Sequence, residues 1–127
     1  MKFIILGRLP SLNEYIAAMN RNRHVGNKMK QECIQNVSWY IKQQLDVEQI
    51  KNPVKIKFIW YEANRKRDID NVSSMGRKVI LDALVSTGVL INDTQEWVNG
   101  FEDKFYIDKE NPRIEVTITE VEYIWIN

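Results

Sequence analysis

Val54, Ile56, Phe58 and Trp60 alternate with Lys55, Lys57, Ile59 and Tyr61. A period of two is that of a strand with one buried face, so this segment predicts the middle of a sheet over a core. The strand delivers the chain to Arg65-Lys66-Arg67-Asp68-Ile69-Asp70-Asn71. Acidic residues at a strand end are well placed to hold an ion, because the sheet fixes the backbone that carries them. If the segment stays extended, Asp68 and Asp70, two positions apart, point to the same side. Convergent carboxylates suit a hard cation such as Mg²⁺, and adjacent Arg and Lys suit a polyanion on which that cation acts. The spacing therefore fits metal-dependent chemistry on a nucleic-acid phosphodiester. It also fits a turn with solvated charges.

The flanking segments define a single domain over residues 1–127. Phe3 to Leu6 predicts a first strand, and Ser11 with Glu14 fits a capping box opening a short helix through Tyr15 and Ile16. Asn20 to Lys28 reads as a polar, basic loop. Met29, Cys33, Val37, Ile41 and Leu45 then recur every four positions, which predicts an amphipathic helix from about Lys28 to Leu45. Val72 to Ser86 predicts another, terminated at Gly88. Residues 97–107 and 113–120 read as an antiparallel pair of strands around Lys109-Glu110-Asn111-Pro112. The expected fold is α/β in the α+β sense: a mixed, mainly antiparallel sheet with flanking helices. The apolar C-terminal stretch Val121-Glu122-Tyr123-Ile124-Trp125-Ile126 is expected to pack on the body or on a partner chain.

Charge is informative through its distribution. Residues 1–78 carry 15 Lys and Arg against 7 Asp and Glu, a balance of +8, whereas residues 79–127 carry 3 against 10, a balance of −7. That asymmetry fits one basic face, or two halves that interleave and cancel. His24 is the only histidine, which rules out a histidine-based zinc site. Cys33 falls on an apolar helical face and is expected to be a buried reduced thiol. With no long apolar run and no signal-peptide pattern, the expected setting is the cytoplasm, away from membranes.

Arg67-Asp68-Ile69-Asp70-Asn71, Leu81-Asp82-Ala83-Leu84, Thr87-Gly88-Val89-Leu90 and Asn92-Asp93 follow one another in a recognisable order. With Pro10-Ser11-Leu12-Asn13, Arg23-His24-Val25 and Arg113-Ile114-Glu115-Val116-Thr117-Ile118, they resemble the RusA family of Holliday-junction resolvases, often prophage-encoded, over nearly the whole chain. The resemblance implies a Mg²⁺-dependent homodimeric endodeoxyribonuclease, without an organic cofactor, that cuts four-way DNA junctions in recombination and repair. It carries the family's acidic metal site onto Asp68, Asp70 and Asp93, and places Arg21, Arg23 and Lys28 towards DNA, with Arg65, Lys66 and Arg67 as further phosphate contacts. The family's lysine is expected at Lys78, four residues before Asp82, since the position four after Asp70 is Ser74. Lys78 would stabilise the phosphate or the leaving oxygen, or else form a surface pair with Asp82. Asp82 is a secondary candidate. Asn92 departs from the aspartate common there, which supports one alternative, a catalytically weak junction-binding module; the other is a Mg²⁺ nuclease with a broader preference for branched DNA.

Overall fold

The computed structural model describes residues 1–122. Its elements are β1 (Lys2–Leu6), α1 (Leu12–Arg21), α2 (Arg23–Gln44), β2 (Val54–Glu62), α3 (Ile69–Ser86), β3 (Val98–Ile107) and β4 (Arg113–Glu120). They form one four-stranded sheet in the order β1-β4-β2-β3. The alternation that opens the sequence reading is the centre of this architecture. Val54, Ile56, Phe58 and Trp60 of β2 are buried, as are Phe3 and Ile5 of β1 and Ile114, Val116 and Ile118 of β4. Val37 and Ile41 of α2 and Val79, Ile80 and Leu84 of α3 meet them in a single apolar core. Two positions require glycine for close approach: a Cβ on Gly26 would run into Met19 where α1 meets α2, and one on Gly76 would run into the Trp60 ring.

The sheet is mixed, and its antiparallel pairs are not the expected ones. β3 and β4 do not form a hairpin. β4 lies between β1 and β2, antiparallel to both, while β3 runs parallel to β2 on its other side. The β2–α3–β3 unit is thus a parallel crossover, which needs a long connection such as a helix. Both readings give the strands the same alternation, so periodicity could not choose between them.

The expected basic loop at 20–28 is also absent. A single residue, Asn22, separates α1 from α2. Its backbone is extended (φ −166°), its N–H donates to the Ala18 carbonyl, and its side chain accepts from the His24 N–H at 2.8 Å. One asparagine therefore ends one helix and caps the next. Ser11 and Glu14 form the predicted capping box of α1. Cys33 is half-buried beside the core, and burial pushes its thiol up, with Glu32 adding to the effect. Of the apolar C-terminal stretch, Val121 donates its N–H to the Pro53 carbonyl at 2.8 Å, and residues 123–127 lie outside the described residues. Among the described residues no helix is long and apolar enough to cross a membrane.

Candidate functional site around α3

Asp68 is not in an extended run with Asp70. It is the N-cap of α3, with extended backbone (φ −65°, ψ 128°), and its Oδ1 accepts the Asp70 N–H at 2.9 Å. Asp70 already belongs to the first helical turn. The expected convergence by strand geometry is corrected by that cap, because an aspartate before an amphipathic run closes a helix end that otherwise leaves four N–H groups unpaired. Both carboxylates stay exposed at the positive end of the helix dipole, where ionised acids are favoured.

Lys78 lies two turns further along α3, about 12 Å of helix rise from Asp70. Its ammonium stands 3.3 Å from Asp82 Oδ1 and 3.5 Å from Asp93 Oδ2. The expected surface pair with Asp82 is present, and the same ammonium also reaches the carboxylate beyond the helix. The Asp82 hydrogen bond, with Asp93 assisting, outweighs partial burial and holds the Lys78 pKa above the ordinary lysine value. Asp93 is brought back along α3 because the chain turns at Gly88 (φ +81°), a left-handed conformation suited to glycine, and buries Val89 and Leu90. The isolated bridge of Leu90 to Ile50 fixes that return. Asn92 lies beside Asp93 and accepts its N–H at 2.8 Å, so it shapes the turn that presents Asp93.

Among the described residues no group of three or more His, Cys, Asp or Glu side chains is arranged to hold a metal ion. The expected Asp68–Asp70–Asp93 cluster is therefore not gathered into a cage, consistent with the rise of α3 between its two ends. The donor set nonetheless fits a hard cation. Among the described residues Asp70 has no partner on its carboxylate, while Asp68 uses Oδ1 and Asp93 uses Oδ2, so each keeps an oxygen without a partner there. Mg²⁺ ordinarily takes one or two carboxylates and completes its shell with water and substrate phosphate.

The expected phosphate contacts divide in two. Arg21, Arg23, Lys28, Arg65 and Lys66 are exposed. Arg67 is not available in the same way, and its expected role as a phosphate contact is corrected. Its guanidinium bonds both oxygens of Glu62 at 2.8 and 2.9 Å, the Leu9 carbonyl at 2.7 Å and Glu14 at 3.3 Å. The side chain is 15% exposed and ties the end of β2, the β1–α1 turn and the start of α3 together. Burial alone would lower its pKa, but Glu62 and then Glu14 reverse the shift.

Two further residues of the site escape the sequence reading. Glu62 anchors Arg67, and Lys30 of α2 reaches Asp82 at 3.6 Å. Lys30 had a visible signal: it follows Gly26 by four positions and precedes Cys33 by three and Val37 by seven, on the inward face of α2. Lys30, Lys78, Asp82, Asn92 and Asp93 line a cleft of about 480 Å³ between α2, α3 and the turn after α3.

A protein family described as endodeoxyribonuclease RusA has a sequence model that matches residues 9–119. No curated protein matches the chain.

Proposed function

The chain belongs to the RusA endodeoxyribonuclease family, and from that membership we propose that it is a Mg²⁺-dependent enzyme resolving four-way DNA junctions by hydrolysing one phosphodiester in each of two strands. What supports the reading is the family match together with two exposed carboxylates, Asp68 and Asp70, at the start of α3 and a lysine beside Asp93. Asp68 and Asp70, from one end of α3, would hold Mg²⁺ with water and phosphate completing its shell, and Asp93 is the family's further ligand position beyond the helix. When bound, the ion would lower the pKa of water and compensate charge on the phosphate. The cap bond fixes the Asp68 carboxylate and the backbone that carries Asp70 at the start of α3. Lys78, kept cationic by Asp82, offers its ammonium to a non-bridging or leaving oxygen, where charge develops in the transition state. A four-way junction is nearly two-fold symmetric, so a homodimer would present one such site to each of two strands.

The experiment is cleavage of matched four-way, forked and linear DNA with and without Mg²⁺. Paired nicks in the four-way substrate that require Mg²⁺ are expected. Equal cutting of all three would replace junction resolution by a broader branched-DNA nuclease, and tight binding without nicking in Mg²⁺ or Mn²⁺ would leave a binding module.

Exchange of Arg21, Arg23, Lys28, Arg65 and Lys66 for Ala is expected to weaken binding to all DNA sequences alike. Each lost phosphate contact should also reduce the slope of log affinity against log salt by about 1, since fewer counterions are released. Binding titrations across salt concentration read this directly. An unchanged slope places the DNA on another face.

A further inference from the structure

The cleft beside Asp93 holds two lysines, Lys30 and Lys78, around the Asp82 carboxylate. Lys30 comes from α2 and occupies the inward face of that helix, where an unpartnered ammonium would be costly. Its side chain is 27% exposed and is directed at Asp82 Oδ2, 3.6 Å away. The other oxygen of the same carboxylate faces Lys78 at 3.3 Å. One carboxylate thus stands between two ammonium groups, and Asp93 faces the second. All three separations exceed the roughly 2.7–2.9 Å of a tight charge-assisted hydrogen bond. Each ammonium has three donors, so each retains capacity for another anionic acceptor. Were the arrangement only a bolt between α2 and α3, one lysine would satisfy Asp82. With Asp93 facing Lys78, the two ammonium groups are balanced by two carboxylates, each ammonium keeping spare donors on the wall of a cleft large enough to admit a phosphate group.

We propose that Lys30 is a second phosphate-binding lysine of this cleft and that Asp82 is a positioning residue holding both ammonium groups towards the backbone of the cut strand. The proposal rests on the nuclease reading of the site. Lys78 is 53% exposed on a flexible stem, so without Asp82 its ammonium has only Asp93 to hold it among the described residues. Lys30, shorter of freedom because α2 packs on α3, meets a neighbouring oxygen of the same or the adjoining phosphate. Asp82 itself touches no substrate and acts through the two lysines.

The test compares Lys30→Met, Lys30→Arg and Asp82→Asn with wild type, using a four-way junction in Mg²⁺. Single-turnover cleavage, binding affinity across salt concentration and thermal unfolding are measured on the full chain, with Asp70→Asn as control. Lys30→Met is expected to bind several-fold more weakly, with a salt slope shallower by about 1, and to cleave about tenfold more slowly. Lys30→Arg should restore the salt slope. Asp82→Asn should bind as tightly as wild type or more so, since a negative charge has left the cleft, yet cleave about tenfold more slowly at saturation. A Lys30→Met protein with wild-type slope and rate but a lowered unfolding midpoint would make Lys30 a helix clamp and overturn the proposal. If Lys30→Met does not fold, Lys30→Gln, which keeps a donor towards Asp82, decides the same question through its salt slope. Asp70→Asn cutting at the wild-type rate would fail the nuclease reading of the site, while the Lys30 salt slope would still decide whether that lysine meets phosphate.

Discussion

Asp70→Asn is expected to bind a four-way junction at least as tightly as the wild type while cutting it at least about a hundredfold more slowly, the scale seen when one stabilising group is lost from a transition state. The structure makes this change unusually clean. Asp70 lies in the first turn of α3, its carboxylate has no partner among the described residues, and its backbone N–H is held by Asp68. Asparagine keeps that backbone bond and the side-chain shape. It gives up only a favourable charge at the helix N-terminus, about 0.3–1 kcal/mol of stability. Binding survives because the lost charge is one that repels phosphate. Asp68→Asn should behave alike, because asparagine caps a helix as well as aspartate does, whereas Asp68→Ala would mix loss of the cap, about 1 kcal/mol, with loss of the carboxylate. Single-turnover cleavage alongside equilibrium binding and thermal unfolding separates these effects. Equal cleavage by wild type and Asp70→Asn would mean that the acidic site has been misplaced.

The parts of this molecule that were legible in its sequence are those where one face is buried. β2, the later part of α2 and α3 each bury one face, and each announces itself by the period of its apolar residues. The first turns of α2 carry mostly exposed side chains, with Gly26 buried against Met19, so Arg23 to Lys28 has no apolar period and its helix was invisible. The strand order was invisible for another reason. β3 is an edge strand with Phe101, Tyr106 and Ile107 exposed, and the polar turn after it looks the same whether β4 folds back on β3 or crosses to the far side of β2. At the site, the motif residues were legible one by one, but their relations were not. Asp68 and Asp70 converge only if their segment is extended, and nothing local distinguishes an acidic loop from an N-cap. Lys78 meeting Asp93 depends on the turn at Gly88 and the burial of Leu90, which no spacing encodes.

Arg67→Ala is expected to lower stability by about 3 kcal/mol, with little change in the salt slope of DNA binding. Sequence alone groups Arg67 with Arg65 and Lys66 as one basic run, and the fold separates them. Arg67 and Glu62 have side chains only 15% and 14% exposed and make a paired, two-point contact, to which the Leu9 carbonyl and Glu14 add. Removing the guanidinium strands a largely buried carboxylate and a carbonyl together, and breaking such a pair from one side costs about 3–5 kcal/mol. Against a total stability of about 5–15 kcal/mol, that is a large share, and it should appear as a fall in the unfolding midpoint on the order of 10 °C. Arg67→Lys should also destabilise, because one ammonium cannot reproduce the fork on Glu62 and reach Leu9 at the same time. Cleavage should fall in both variants at temperatures where they remain folded, since Arg67 fixes the segment that presents Asp68 and Asp70. Arg65→Ala and Lys66→Ala should show the opposite pattern, with a reduced salt slope and an unchanged midpoint. Thermal unfolding and salt-dependent binding of the four proteins decide the matter: an Arg67→Ala protein as stable as the wild type but with a flattened salt slope would mean that the guanidinium leaves Glu62 for the DNA.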